Sequence, residues 1–379
     1  MASPPVLRPV KGLTGRADRK RQIQSMFRTA IFILAAVASS FVTRWLVDAP
    51  SWLRSIDYPN QRSSHARPTP RSGGIGIVAT FVLLLPLLWV MLLPDATNWR
   101  FAFRFGLALC GYIVIAIVGL VDDMRTINPL AKYIGQLVAA LIAIWSGVTF
   151  NFLDLPFVGR LDLSMVGPLT GLLGAVLTVI WLTGFSNLFN FMDGIDGIAG
   201  GSAVIYSLAL ALASGQTGHR LPAAGLLLLA AACLGFLRYN FPPARIFMGD
   251  VGSLFIGYAL SAFALLITNS GIRPVPFPVV LLIFAPFLFD TILTLIRRWL
   301  RGEPLHLAHR QHLYQRLVAA GQTHRRVTLS YYALNLVFAV LALCYLQGSD
   351  LMRVVLLLSG LTILAGFTIY VHLACRGGR

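Results

Sequence analysis

Long apolar runs that recur along the whole chain constrain its fold more than any other feature. Each run has about 20 residues, the length of helix that crosses a bilayer, and lipid admits only helices and closed barrels. Hydrophobic residues make up 57% of the 379 residues and charged residues 12%, whereas soluble domains carry about 25% charged residues. The sequence therefore predicts an all-α, polytopic integral membrane protein.

Eleven runs are predicted to be transmembrane helices, and the first is the weakest, so the count is 10 or 11. Arg28 and Arg44 lie in that first run, where their side chains must extend to the membrane interfaces. The predicted helices are 27–47, 75–94, 102–121, 132–149, 166–189, 199–215, 221–238, 253–270, 275–297, 329–347 and 351–373.

The loops between these helices alternate in character. One set contains nearly all the carboxylate, amide and histidine clusters: 48–74, 122–132, 190–198, 239–252 and 298–328. The other set is short and chemically plain: 95–101, 150–165, 216–220, 271–274 and 348–350. Lysine and arginine follow the same division, with 15 in or beside the first set and six in or beside the second. Because basic loops stay in the cytoplasm, the first set is predicted to lie there, and the net charge of +17 needs no nucleic-acid partner.

The amino-terminal tail disagrees with this topology. Residues 1–28 carry seven basic side chains, yet a single span before the loop 48–74 would place the tail outside. Three alternatives stay open: a different number of spans before residue 48, a translocated tail, or a tail absent from the mature chain. In the last case Met26 is an alternative start.

The stretch NLFNFMDGIDGIAGG places polar groups at Asn187, Asn190, Asp193 and Asp196, a constant step of three. Side chains three residues apart share a helix face and align in a 3₁₀ turn, so we expect them to converge on one ligand. Its glycines allow a bulky anion to approach the backbone. A polar capping turn is the alternative, but four such groups are costly at the bilayer edge without a partner.

Two further acidic loops belong to the same set. GLVDDMR carries Asp122 and Asp123, and Lys132 follows nine residues later. RIFMGDVGS carries Asp250, with Ser253 as a candidate N-cap. Adjacent carboxylates repel unless a cation shares them, so both loops are candidates for metal or phosphate chemistry. Helix ends and caps are the alternative for each loop taken alone.

The loop 298–328 carries His306, His309 and His312, again in steps of three, with Arg310 and Arg316 among them. Three histidines in this register are one pattern of a zinc site. The arginines fit phosphate recognition better, and a basic amphipathic helix on anionic lipid remains open. In the ninth predicted helix, a buried acid at residue 290 is either paired structurally or functional.

In their order, and on one membrane face, GLVDD, NLFNFMDGIDGIAGG, RIFMGDVGS and the histidine/arginine loop resemble the polyprenyl-phosphate N-acetylhexosamine-1-phosphate transferases. The resemblance covers roughly residues 30–350. It implies that a sugar 1-phosphate passes from a UDP-N-acetylhexosamine to undecaprenyl phosphate, with release of UMP and a requirement for Mg²⁺, Mn²⁺ being an alternative. The chain thus divides into a basic tail (1–26), the transferase domain (27–350) and a final helix with a basic end (351–379).

The resemblance also implies a role for each matching residue. Asp250 is the expected metal ligand, with Asn190 close by. Asp122 and Asp123 are the expected catalytic pair at the lipid phosphate. The substrate-binding residues that it implies are Asn187, Asp193, Asp196, Phe247, Lys132, His309, Arg310 and His312.

HLAHRQHLYQRL lacks the run of adjacent histidines found in the phospho-MurNAc-pentapeptide transferases, and looks like the branch that initiates O-antigen and similar surface glycans. UDP-GlcNAc, UDP-FucNAc and UDP-QuiNAc are therefore the expected donors. The implied location is the bacterial inner membrane with a cytoplasmic active site, and a homodimer remains open. Pentapeptide transfer is one alternative. A lipid-linked sugar transporter is another, although transporters place such residues near the midplane.

Overall fold

The computed structural model describes residues 11–50, 55–57, 68–92, 98–155, 159–163, 168–269, 273–304 and 310–377. The helices in these residues are α1 (Lys11–Asp48), α2 (Gly74–Leu92), α3 (Trp99–Arg125), α4 (Pro129–Ser146), α5 (Pro168–Phe191), α6 (Ile198–Gln216), α7 (Arg220–Asn240), α8 (Gly249–Thr268), α9 (Phe277–Leu300), α10 (Leu313–Ala319), α11 (His324–Gln347) and α12 (Asp350–Gly377). Two short antiparallel hairpins pair β1 (Ile56–Asp57) with β2 (Thr69–Pro70) and β3 (Phe152–Leu155) with β4 (Gly159–Asp162).

Eleven helices among the described residues are long and apolar enough to cross a membrane, and only the seven-residue α10 is not. The prediction of an all-α, polytopic membrane protein is therefore confirmed. The main difference in bounds is at α1, which begins at Lys11 in the basic segment, although its apolar span begins at Thr29. The predicted tail 1–26 is thus partly helical.

The eighth span also begins earlier than predicted. α8 starts at Gly249, four residues before the predicted 253, and Ser253 lies inside the helix rather than at its N-cap. Its hydroxyl donates to the Gly249 carbonyl at 3.0 Å. The predicted cap at Ser253 is wrong because a carboxylate from another helix holds the free amides of this helix end, as the next subsection describes.

α8 is the centre of the bundle. Its most apolar window is 94% buried, against 28% for α1 and 17% for α12. Two glycines let neighbouring helices approach α8 closely: Gly252 meets the backbone of Gly74 in α2, and Gly257 packs on Ser186 in α5. A side chain at the start of α8 is therefore held by the most enclosed helix of the described protein.

Contacts between loops confirm that the two predicted sets lie at opposite ends of the bundle. At one end, hydrogen bonds join the ends of α3, α5, α7 and α9 or the segments that follow them, for example from the Tyr314 hydroxyl of α10 to the Phe191 carbonyl of α5 at 3.0 Å. At the other end the Asn269 side chain accepts hydrogen bonds from the backbone N–H of Asn151 and Phe152 in the β3 loop. The acidic motifs therefore meet at one end, where they form the candidate site.

Candidate active site

Asp250, in the first turn of α8, is the residue on which the predicted polar groups meet. Its carboxylate accepts a hydrogen bond from the Asn190 amide at 3.0 Å and forms an ion pair with Lys132 of α4. The Arg71 guanidinium lies 4.0 Å away. Asn190 also donates to Ser253 at 2.8 Å, so the end of α5 is fixed to the first turn of α8.

Asp123, at the end of α3, holds the amino-terminal end of α8. Its two carboxylate oxygens accept the backbone N–H groups of Asp250 at 2.9 Å and Val251 at 3.0 Å. These are two of the amides that a helix leaves unpaired at its start. Arg71 donates to the same carboxylate from two nitrogens, at 3.0 and 2.6 Å. The buried Asp123 therefore fixes the position of Asp250.

Asp122, next to Asp123, faces a different partner. One of its oxygens accepts the Ile127 backbone N–H at 2.9 Å, and the other accepts from Lys132 at 2.8 Å. The Lys132 ammonium thus lies between Asp122 and Asp250. The two adjacent aspartates therefore have separate environments, one paired with an arginine and the other with a lysine.

The turn into α8 requires glycine at position 249. Gly249 has φ +73°, a region that side chains other than glycine disfavour by about 1–2 kcal/mol. A Cβ at this position would also lie 2.5 Å from an Asp123 carboxylate oxygen and would overlap the Arg71 carbonyl. The packing that places Asp250 beside Asp123 leaves no room for a larger residue.

The cluster carries more negative than positive charge. Its four carboxylates, those of Asp122, Asp123, Asp193 and Asp250, face the two cations Arg71 and Lys132. Burial, with the nearby charges of Asp250 and Asp123, raises the pKa of Asp193 from 3.8 to about 8, although Arg71 acts in the opposite direction. Burial lowers the pKa of Arg71, but the neighbouring carboxylates raise it above its ordinary value.

Within the described residues, no three acidic, histidine or cysteine side chains are already grouped as metal ligands. The carboxylates are instead paired with Arg71 and Lys132. The side chain of Asp193 makes no hydrogen bond or ion pair with any of the described residues. This arrangement is typical of a site that binds a charged ligand.

The four polar residues spaced three apart, Asn187, Asn190, Asp193 and Asp196, do not converge on one ligand site. The reason is that α5 ends at Phe191 and the chain changes direction there. The Asn187 amide exchanges hydrogen bonds with Gln136 of α4, at 2.6 and 3.0 Å. Asp196 accepts the Ala244 backbone N–H at 3.0 Å and lies 3.2 Å from His324 of α11. Only Asn190 and Asp193 reach the Asp250 cluster.

Phe247 lies in the segment just before α8. Its backbone N–H donates to the Pro70 carbonyl at 2.7 Å, and its carbonyl accepts from Gly73 at 2.9 Å. The side chain is half-buried. These bonds fix the residue beside the loop that carries Arg71.

The predicted histidine and arginine residues of the loop after α9 have different positions. His309 lies outside the described residues. His312 is buried, with Nδ1 3.3 Å from an Asp290 oxygen. Arg310 is exposed and lines a separate basic cavity.

Asp290, which the sequence left undecided between pairing and function, is paired. Its carboxylate accepts the Leu313 backbone N–H at 2.8 Å and the Tyr331 hydroxyl at 2.6 Å. It therefore holds the start of α10 against α11, a structural role that also fixes His312.

Sequence reasoning did not select Arg71, Gln136 or His324 as site residues. Arg71 is one of several basic residues in its loop, and only its contacts with Asp123 distinguish it. Gln136 and His324 each pair with a residue that the motif did select. The one signal available was their position near the predicted membrane face that carries the acidic loops.

Comparisons with known proteins identify the family of the chain. The model of the family "Glycosyl transferase family 4" matches residues 105–268, from α3 to the end of α8. The chain is 30% identical to a probable undecaprenyl-phosphate N-acetylglucosaminyl 1-phosphate transferase of Bacillus subtilis, over 84% of this chain and 86% of that protein. It is 33% identical to a decaprenyl-phosphate N-acetylglucosaminephosphotransferase of Mycolicibacterium smegmatis, over 79% of this chain and 77% of that protein.

A phospho-N-acetylmuramoyl-pentapeptide-transferase of Moorella thermoacetica is 32% identical, over 73% of this chain and 83% of that protein. All these similarities extend over most of both chains, and the family model covers the helices that carry Asp122, Asp123, Asn190 and Asp250. The predicted family is confirmed: the chain belongs to glycosyl transferase family 4.

Proposed function

We propose that this protein transfers an N-acetylhexosamine 1-phosphate from a UDP-sugar to undecaprenyl phosphate and releases UMP. The observation that carries the proposal is the cluster around Asp250. It joins the carboxylates of Asp122, Asp123 and Asp250 to Arg71 and Lys132 at the ends of membrane helices, with Asp193 nearby. A lipid-bound phosphate and a soluble donor meet at such a position. The names of the Bacillus and Mycolicibacterium relatives describe transfer of this kind.

The cluster fits a divalent cation. Mg²⁺ prefers carboxylate and amide oxygens. Asp250 and Asn190 carry such groups and are in contact, with the Asn190 amide nitrogen as the donor to Asp250. The three carboxylates of Asp122, Asp123 and Asp250 face only two cations, Arg71 and Lys132, so negative charge remains for a bound cation to neutralise. We propose Asp250 and Asn190 as its ligands, with Mn²⁺ as the alternative metal. When bound, such a cation lowers the repulsion between two phosphorylated reactants.

The other members of the cluster act on the substrates or on one another. Lys132 and Arg71 are the cations available to bind phosphate oxygens. Asp122, within reach of Lys132, is the proposed catalytic carboxylate at the acceptor phosphate. Asp123 is a positioning residue, since its oxygens are already used by α8 and Arg71.

The remaining predicted residues are proposed to bind the donor. Phe247 offers a ring for the uracil, while Asp193 and Asp196 are proposed to orient the nucleotide-sugar. His309, Arg310 and His312 were predicted to hold the diphosphate; we keep His309 and His312 in this proposed role, because Arg310 lines the separate basic cavity. Asn187 supports this region by joining α5 to α4. The proposed location is the bacterial inner membrane, with this face in the cytoplasm.

UDP-GlcNAc, UDP-FucNAc and UDP-QuiNAc are the proposed donors, and the product would be the first lipid-linked sugar of an O-antigen or similar surface glycan. Pentapeptide transfer is the alternative, because relatives of that name also match. The lack of adjacent histidines in HLAHRQHLYQRL favours the first reaction. A lipid-linked sugar transporter is the other alternative. Transporters place their charged groups near the midplane of the membrane, whereas the charged groups of this protein lie at helix ends.

Turnover with purified protein tests the proposal. The full chain is incubated with undecaprenyl phosphate, Mg²⁺ and each UDP-sugar in turn, UDP-MurNAc-pentapeptide included, and UMP is measured. We expect UMP from one of the three N-acetylhexosamine donors and none without the lipid. Release from the pentapeptide donor alone would replace the proposed reaction by its alternative. No UMP from any donor would reject both.

A further inference from the structure

A second cluster of charge lies apart from Asp250, where α9, α10 and α12 meet. A cavity of about 420 Å³ opens there. It is lined by Arg297, Arg301, Arg310, Gln311, Arg316 and His372. Four guanidinium groups therefore surround one space, and none of the described residues that line it carries a carboxylate.

The four guanidinium groups of this cavity outnumber the carboxylates described near it. Glu303 lies 3.9 Å from Arg301 and 3.7 Å from the buried Arg298. Asp290 acts electrostatically on Arg297, but its carboxylate already accepts hydrogen bonds from Leu313 and Tyr331. Arg297 and Arg316 make no ion pair within the described part of the chain. Guanidinium groups that converge in this way match the geometry of phosphate oxygens.

Helix dipoles alone do not account for the cluster. Arginine in the last turn of a helix is stabilised by the dipole, and this explains Arg297 in α9 and Arg316 in α10 singly. It does not explain why the ends of three helices turn basic side chains into one cavity. Like charges this close are unfavourable unless an anion lies between them.

The surroundings of the cavity indicate a lipid rather than a soluble anion. Trp299 and Leu300 lie in the same turn of α9 as Arg297 and Arg301, and both are largely exposed. Ile369 and Leu373 flank His372 on α12 and are exposed as well. Exposed apolar side chains in membrane helices face acyl chains. A basic pocket between transmembrane helices beside such a surface is a recurrent site for anionic lipid headgroups.

We infer that this cavity binds the phosphate headgroup of an anionic membrane phospholipid. Arg297, Arg301 and Arg316 would contact the phosphate oxygens, and the apolar surface of α9 and α12 would receive the acyl chains. The occupant would be a structural or regulatory lipid and neither reactant of the proposed transfer. It would join α12 to α9 and α10, where α12 is the least buried of the candidate spans.

Thermal unfolding of the full chain in detergent tests the inference without any turnover. Melting is followed by tryptophan fluorescence with added phosphatidylglycerol, with phosphatidylcholine of identical acyl chains, or with inorganic phosphate. We expect phosphatidylglycerol to raise the melting temperature and the other two additives to leave it unchanged. For Arg297→Gln/Arg301→Gln, the lipid concentration that gives half of the rise should increase by at least about tenfold.

Two controls separate this site from general charge and from the active site. Arg325→Gln/Arg326→Gln removes two exposed cations from the start of α11 and should keep the wild-type response. Asp250→Ala should keep it too, so that failure of the proposed transfer leaves this result standing. If the cavity variant does not fold, native mass spectrometry of the wild type and of Arg316→Gln in an equal mixture of the two lipids replaces it.

Three results would overturn the inference. The first is a wild-type protein with no preference for phosphatidylglycerol in either measurement. The second is a cavity variant that responds like the wild type. The third is an equal rise with inorganic phosphate, which would make the cavity a site for free anions.

Discussion

At one end of the helix bundle, charged side chains from several loops meet; at the other, the loops are joined by neutral groups. The acidic end pairs Asp123 with Arg71 and Asp250 with Lys132. At the plain end, the Asn269 amide accepts two backbone N–H groups, and Gln347 donates to Gln216 at 3.0 Å.

The two ends differ in whether their polar groups are available to bind a ligand. Neutral groups whose hydrogen bonds are complete contribute to stability and have little left to offer a ligand. At the acidic end the negative charge exceeds the positive charge, and Asp193 has no partner among the described residues. Uncompensated charge of this kind is costly unless a ligand uses it. Paired substitutions at the two ends test this comparison.

The largest difference is expected for aspartate. Asp250→Ala should lower UMP release by at least about a hundredfold, because it removes the proposed metal ligand at the centre of the cluster. Asp350→Ala, at the plain end, removes an exposed ion pair with Arg353 and should leave the rate within about twofold. Both rates are measured at saturating donor, with melting temperatures to establish folding. Similar losses in the two variants would abolish the distinction between the ends.

Glycines with positive φ give the next contrast. Gly249→Ala combines an unfavourable backbone with overlap at Asp123 and Arg71, and should lose both most of the activity and about 2–4 kcal/mol of stability. Gly218 at the plain end has φ +89° with no atom within 4 Å of a built Cβ. Gly218→Ala should lose only about 1–2 kcal/mol and no activity. Denaturation curves and UMP assays on both proteins check this, and an active Gly249→Ala would contradict it.

Arginine-to-lysine changes keep the charge and remove the guanidinium fork. Arg71→Lys should lower activity about tenfold and stability by about 1–2 kcal/mol, since Asp123 loses a two-nitrogen donor while it holds α8. Arg353→Lys, beside exposed Asp350, should change stability by no more than about 0.5 kcal/mol. Equal effects would show that Arg71 serves only as a charge. Melting curves and rates at several donor concentrations distinguish these outcomes.

The smallest effect is a dependence of stability on pH. Because the pKa of Asp193 is about 8 in the folded protein and 3.8 ordinarily, the folded state binds this proton more tightly. Its contribution is fully present below pH 3.8 and is lost as the pH rises through 8. Between about pH 5 and pH 9 the metal-free wild type should lose more stability than Asp193→Asn. Parallel melting curves for the two proteins, or a fall that Mg²⁺ does not reduce, would contradict this.

The spans were predictable from the sequence because hydropathy over some 20 residues reports directly on what lipid accepts. The gathering of acidic loops at one end was predictable too, since any two of them are separated by an even number of spans. Both inferences need only local composition and counting. Such inferences predict which residues share a membrane face, but they do not predict which residues are in contact.

The contacts inside the site could not be predicted from the sequence, because they depend on tertiary structure. The start of α8 at Gly249 is set by Asp123 from α3, whereas the sequence near Ser253 suggested a local cap. Asn187 and Asp196 belong to one motif but face α4 and α11, because α5 ends between them. Arg71 could not be distinguished from other basic residues in its loop. Each of these outcomes depends on a partner more than 45 residues away in the chain.

The bond between Asp123 and the first amides of α8 also bears on how the protein is made. During synthesis, α3 enters the membrane long before residues 250 and 251 leave the ribosome, and until then the Asp123 carboxylate lacks two of its hydrogen-bond donors. No nascent chain that ends before residue 250 can contain the complete Asp250 cluster. The cluster is completed only when α8, the most enclosed of the described helices, has been inserted among those already in place.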